Sequence, residues 1–258
     1  MPYRITLIAE NISVTSKEVL YSLKNRDPKP IQRIVLDMSR KGLDALDINT
    51  SSLGDAGDMR WLVEVVQEVS DLPLWLDAVD AEVVESGLKA CKDPERATFN
   101  LVTLGRELEK KISIVKDFGC SMVIAAISED GIPRDVDEKV RIIELIYSKA
   151  VDMGISSDRI WIDPVIIPIS IDPDQMKIFK EAVEGILQVL PGLKLTCGVS
   201  NVSIGVPKHF RRLINRNFLK TLIDLEVDSA IIDGYDDELI SICKEKTLGK
   251  QQEVFYGC

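Results

Sequence analysis

The run Ser229-Ala-Ile-Ile-Asp-Gly-Tyr-Asp-Asp-Glu-Leu-Ile-Ser-Ile-Cys-Lys-Glu-Lys246 decides how the rest of the chain is read. Ser229–Asp233 is a short apolar run that stops on a carboxylate. A turn follows at Gly234, and Glu238–Lys246 then carries apolar residues at helical spacing. It is the eighth unit of one pattern. Apolar runs that suit strands also lie at Arg4–Ala9, Ala45–Asn49, Leu74–Asp77, Ala97–Leu101, Met122–Ile127, Ile160–Asp163 and Lys194–Val199. Helical patterns separate them, near Lys17–Lys24, Met59–Val69, Glu82–Cys91, Glu107–Phe118, Glu138–Met153, Asp174–Leu190 and Phe210–Leu225. In Met59–Val69, Leu62, Val65, Val66 and Val69 share one face. Pro30–Lys41 adds a second helix to the first crossover.

Eight strand–helix units with no linker or low-complexity break predict one domain over residues 1–258, a single (β/α)8 TIM barrel. The competing architecture is an open doubly wound sheet. It is disfavoured by the presence of an eighth unit and by the lack of a Gly-x-Gly-x-x-Gly after the first strand. A Gly-x-x-x-x-Gly-Lys-Ser/Thr phosphate loop is lacking as well.

Composition narrows the function classes. The formal net charge of −10 argues against nucleic acid as the main partner, because phosphate neutralisation needs clustered Lys and Arg. The five cysteines are scattered, and His209 is the only histidine, so no metal site is expected; His209 reads as a surface residue. Scattered cysteines, odd in number, an N-terminus without a signal-peptide core and no apolar run of membrane-spanning length predict a cytoplasmic protein without membrane attachment.

In a barrel, chemistry gathers at the C-terminal ends of the strands. Those ends read Glu10-Asn11, Asp47-Ile-Asn49, Asp77, Asn100, Ser128-Glu129, Asp163, Ser200-Asn201 and Asp233. The strand bodies are apolar, so the polarity is localised. Any one of these residues could merely cap a helix or start a turn. Together they form a ring poor in His, Cys and Lys and rich in groups that accept, or both donate and accept, hydrogen bonds. Asp47, Asn49, Asp77, Asn100, Asp163 and Asn201 suit the edge of a planar heterocycle bearing amino, ring N–H and carbonyl groups, such as a pterin. The segment Thr196-Cys-Gly-Val-Ser-Asn-Val-Ser-Ile-Gly205 is the most specific piece: an apolar strand, a glycine that permits close approach, then a polar loop.

Arg26-Asp-Pro28, Leu46-Asp-Ile-Asn49, Trp61–Val69, Leu76-Asp77, Trp161-Ile-Asp-Pro164, Gly198-Val-Ser-Asn-Val-Ser203 and Leu213-Ile-Asn-Arg216 carry a resemblance that runs nearly end to end. The chain resembles the pterin-binding barrels of methyltetrahydrofolate:corrinoid-protein methyltransferases and, more distantly, the folate domain of cobalamin-dependent methionine synthase. The resemblance implies a methyltransferase with tetrahydrofolate or methyltetrahydrofolate as substrate. The corrinoid (cobamide) would be carried by a transiently bound partner protein, and the chain itself would form a homodimer. It further implies that Asp77, Asn100 and Asp163 hold the pterin edge and that Arg211 lies near the folate. Asn201 would reach the nitrogen bearing the methyl group, with Asp77 in the same catalytic network. Ser200 and Ser203 shape the loop. The chain departs from the family at Ala78 and Leu101, where a Ser is usual, and at Asn11, where an Arg is common. The alternatives are a dihydropteroate synthase-like pterin enzyme and a non-catalytic folate-binding subunit.

Overall fold

The computed structural model describes residues 3–51 and 54–244. Eight parallel strands close into a barrel in chain order: β1 Thr6–Ser13, β2 Ala45–Ser51, β3 Leu74–Ala78, β4 Thr98–Leu104, β5 Ser121–Ser128, β6 Ile160–Asp163, β7 Lys194–Gly198 and β8 Ser229–Ile232. The first crossover holds α1 Lys17–Asn25 and α2 Lys29–Lys41. The later ones hold α3 Ala56–Gln67, α4 Ala81–Ala90, α5 Leu108–Phe118, α6 Val136–Asp152, α7 Gln175–Val189 and α8 Lys208–Asp224. Residues 237–244 form a further helix; the expected end of that helix at Lys246 lies outside the described residues. Among the described residues, no helix is long and apolar enough to cross a membrane.

The strand sequences sort themselves by the two-residue alternation of a pleated strand. One parity, such as Leu7, Leu46, Leu76, Phe99, Ile124, Ile162 and Ile232, belongs to the large buried cluster packed with the helices. The other parity fills the barrel: Ile8, Ala45, Trp75, Val123 and Ile231 form a separate cluster, with Leu101 and Trp161 packed against it. Trp75 and Trp161 meet inside at a ring-centroid distance of 5.4 Å. Two residues beyond them on the same faces stand Asp77 and Asp163. The apolar plug thus ends where the polar ring begins.

Two strands run further than their apolar cores suggest. β1 was expected to stop at Ala9, yet it continues through Glu10-Asn11 to Ser13, because an irregularity between Ala9 and Ile12 restores pairing at Ile12–Ile48 and Ser13–Asn49. β4 likewise passes Leu101 to Leu104 through irregularities flanking Val102. Bulges of this kind re-aim side chains at barrel rims. They carry Glu10 and Asn100, which therefore project from strand rather than loop.

Candidate functional site

The floor of the site is a register effect. Asn49, Asp77 and Asn100 are successive pairing partners on β2, β3 and β4, so three polar side chains stand at one height. The Asn49 amide donates to the Asp77 carboxylate. Asn100 reaches back over β3 and donates from Nδ2 to Asp47 Oδ1 at 3.1 Å. Asp47, Asn100 and Asp163 are buried, whereas Asp77 and Asn49 are partly open. Asp163, paired with Ala125 across β5–β6, accepts from the Val165 amide at 2.8 Å.

A cavity of about 710 Å³ opens over this floor, reached by Glu10, Asp47, Asn49, Asp77 and Asn201 and walled on one side by Lys208, Arg211 and Arg212. Of the strand-end residues expected at the rim, Asn100 and Asp163 lie behind its lining. Ser128 and Glu129 do not join it: Ser128 closes a small bridge with Gly131, and Glu129 accepts from the Arg106 amide at 3.0 Å on another part of the rim.

The segment after β7 winds into a 3-10 turn, Val199–Ser203, that leads to α8. A Cβ on Gly198 would lie 2.8 Å from Asn201 Nδ2. The close approach that the glycine allows is therefore to the amide of Asn201, folded back over the end of β7. Ser203 Oγ accepts from Arg211 Nε at 3.1 Å and donates to the Ser200 carbonyl at 3.3 Å, which shapes the loop and holds Arg211 toward the mouth. Ser200 does more than shape the loop: its hydroxyl donates to the carboxylate of Glu10, linking β7 to β1 across the opening. Asn11 donates to Asp233 at 2.7 Å and accepts from the Gly234 amide at 2.8 Å, so this departure from the family pattern closes the β1–β8 seam. Leu101 packs on the barrel plug and Ala78 is buried.

The electrostatics of the floor are unusual for carboxylates. Burial lifts Glu10 to about 7 and Asp233 pushes the same way, against the Ser200 hydrogen bond and the Arg211 charge. Burial lifts Asp77 to about 7, with Asp163 adding to it and the Lys111 ammonium opposing. Asp47 is driven well up by burial and by Asp77, against the Asn100 hydrogen bond. Asp163 rises to about 6 through burial, offset by the Val165 amide and Lys139. Such a set of displaced carboxyls in one cleft is characteristic of functional sites. Among the described residues, no group of three or more His, Cys, Asp or Glu is arranged to hold a metal ion. What the ring can do is accept hydrogen bonds from a flat donor edge while Asn201 and Glu10 face the same space.

Lys111 and Lys139 are the residues that sequence reasoning does not assign to the site, and it places Glu10 in the polar ring without a role of its own. The two lysines have a legible signal: each falls on the apolar face of its helix, Lys111 with Ile112, Ile114 and Val115, Lys139 with Ile142, Ile143 and Ile146.

Comparison with known proteins places the chain. It is 26% identical over 232 residues to a methylcorrinoid:tetrahydrofolate methyltransferase of Eubacterium limosum, covering 88% of this chain and 84% of that protein. It is 29% identical over 214 residues to a methionine synthase of Mycobacterium leprae, covering 77% of this chain but 17% of that much longer protein. Among solved structures, a Xanthomonas albilineans dihydropteroate synthase in complex with indole-2-carboxylic acid and 6-chloroguanine superposes with a TM-score of 0.69 at 14% identity, over 99% of this chain and 95% of that one. A Yersinia pestis DHPS with a pterine-sulfa conjugate does so with a TM-score of 0.66 at 13% identity, over 94% of each chain. These likenesses in structure establish the barrel fold. The family of pterin binding enzymes matches residues 10–231, from the strand that carries Glu10 to the last strand of the barrel, and the chain belongs to it.

Proposed function

We propose that this barrel transfers a methyl group between the N5 nitrogen of a tetrahydrofolate and the cobalt of a corrinoid carried by a partner protein. The observation that carries the reading is the in-register ring of Asn49, Asp77 and Asn100, backed by Asp47 and Asp163 and faced by Asn201. Ionised carboxylates accept from the amino and ring N–H groups of a pterin, and the carboxamides serve its mixed donor and acceptor positions. The likeness to the methylcorrinoid:tetrahydrofolate methyltransferase along most of both chains favours methyl transfer over other pterin chemistry.

Each residue then has a role. Asp47, Asn49 and Asp77 meet the pterin edge from the cavity lining, and Asn100 and Asp163 complete its recognition from just behind them. Asn201 donates to N5. A tertiary amine is a poor leaving group unless its nitrogen gains a proton or a hydrogen bond as the C–N bond breaks and the electron pair moves onto it, and a donor whose hydrogen bond strengthens there lowers the barrier. A carboxamide cannot supply the proton itself. Glu10, with its carboxyl near 7 and hydrogen-bonded to the neighbouring Ser200, suits a proton store for that step. In the reverse direction the same groups ease proton loss from N5. Arg211 steadies the folate beyond the pterin. The wide mouth lets the partner's macrocycle come and go, which fits a transient complex.

The test is visible absorbance with free cob(I)alamin and methyltetrahydrofolate, and with methylcobalamin and tetrahydrofolate. Conversion in either direction is the expected result. Folate binding without conversion in either direction, or turnover of a pterin pyrophosphate, overturns it in favour of a binding subunit or a dihydropteroate synthase-like enzyme.

A further inference from the structure

Lys139 lies on α6 with none of its surface exposed. Lysine is almost never fully buried unless its charge is matched. Its Nζ donates to the carbonyls of Pro164 at 2.8 Å and Val165 at 2.5 Å. Both carbonyls belong to the loop that leaves β6 directly after Asp163.

That loop is held in a costly shape. Val165 has φ 55°, in the left-handed region, where a β-branched residue is a true outlier. In this conformation its amide points back and donates to Asp163 Oδ1 at 2.8 Å. Two residues on, the Ile167 amide donates to Gln175 Oε1 at 3.2 Å, so α7 pins the far end. A backbone outlier persists only where its surroundings over-determine it, and such outliers cluster at functional sites. The ionisable groups near the Lys139 ammonium are Asp163 on β6, which supplies the opposing charge, and Cys197 on β7, whose thiol burial holds in its neutral form. Burial moves Lys139 down to about 8 and Asp163 up to about 6, and each charge counters the shift of the other.

We propose that Lys139 is a positioning residue for the pterin: its ammonium clamps the 164–165 carbonyls, forces Val165 to turn its amide onto Asp163, and sets a positive charge behind that carboxylate. The proposal rests on Asp163 being a pterin ligand. A neutral side chain of similar length would leave two buried carbonyls without a donor and a buried carboxylate without a counter-charge.

The experiment is calorimetric binding of methyltetrahydrofolate to wild type, Lys139→Met, Asp163→Asn and the double variant. Lys139→Met should weaken binding at least about tenfold, by removing the counter-charge and the hydrogen-bonded clamp. In the Asp163→Asn background the same change should cost less than about twofold, since a residue acting through Asp163 has nothing left to act on. Multiplying losses, or a Lys139→Met chain that is less stable yet binds within twofold of wild type, would make the lysine merely structural. Unimpaired binding by Asp163→Asn would instead sink the assignment of Asp163 as a pterin ligand. Val165→Gly reads the same loop without touching the buried cation, and glycine tolerates the left-handed turn. It should fold and bind several-fold more weakly; unchanged affinity there overturns the positioning route even if Lys139→Met fails to fold.

Discussion

Asn201 shows how much one glycine can decide. Its amide lies over the α-carbon of Gly198, so the group proposed to face N5 is placed by the absence of a side chain. Asn201→Ala removes a donor whose hydrogen bond matters most as charge develops. Methyl transfer to or from free cobalamin should fall by about 100-fold or more, whereas affinity for methyltetrahydrofolate should fall far less. Equal losses in kcat/KM and in binding would mean that the amide grips the ground state alone. Gly198→Ala should imitate the defect with Asn201 still present, because the new methyl group occupies the space of Nδ2. Asn201 and Asp77 were legible in the sequence because each is polar at the end of an apolar run. Glu10 was legible as part of the same polar ring but not as a strand residue: only the pairing of Ile12 with Ile48 keeps it in β1.

The eight units could be read from apolar spacing alone, since a strand or helix that buries one face must repeat apolar residues at its own period. Their ends could not. The bulges that lengthen β1 and β4 leave no mark in the pattern, because a bulge shifts which residues face inward without changing how apolar they are. The buried lysines of α5 and α6 sit among Ile and Val side chains on the apolar face of each helix, a position that the helical spacing carries and the residue type hides. The β7–α8 connection illustrates a constraint that is legible only in coordinates. Gly205 sits at φ 78°, and a Cβ there would come within 2.6 Å of Ser170 Oγ, whose hydroxyl donates to the Ile204 carbonyl at 2.6 Å. Gly205→Ala therefore combines a left-handed alanine with a displaced hydrogen bond. It should cost about 1–2 kcal/mol by urea denaturation, and it should loosen the Ser203–Arg211 contact enough to raise KM for folate. A variant as stable as wild type would show that this loop adapts freely.

For the whole molecule, a site full of displaced carboxyls couples folding to pH in a defined direction. Asp77 and Glu10 near 7 and Asp163 near 6 keep their protons in the folded chain, while the unfolded chain loses them near pH 4. The folded state binds more protons between these limits, so the stability these groups lend is complete below about pH 4 and is lost as pH rises through about 7. The exposed surface ion pairs work the other way but carry little weight. Asp77→Asn removes one of these groups, and its carbonyl can still accept from Asn49. The variant should melt above wild type at pH 8, and its advantage should shrink toward pH 5. Methyltetrahydrofolate should reverse the order. A ligand that donates to an ionised Asp77 stabilises only the chain that carries the carboxylate. Saturating folate should therefore raise the wild-type Tm more at pH 8 than at pH 5.5 and move the Tm of the variant little. A variant that melts no higher than wild type at pH 8, yet still gains fully from folate, would remove Asp77 from both the electrostatic strain of the empty barrel and the recognition of the pterin.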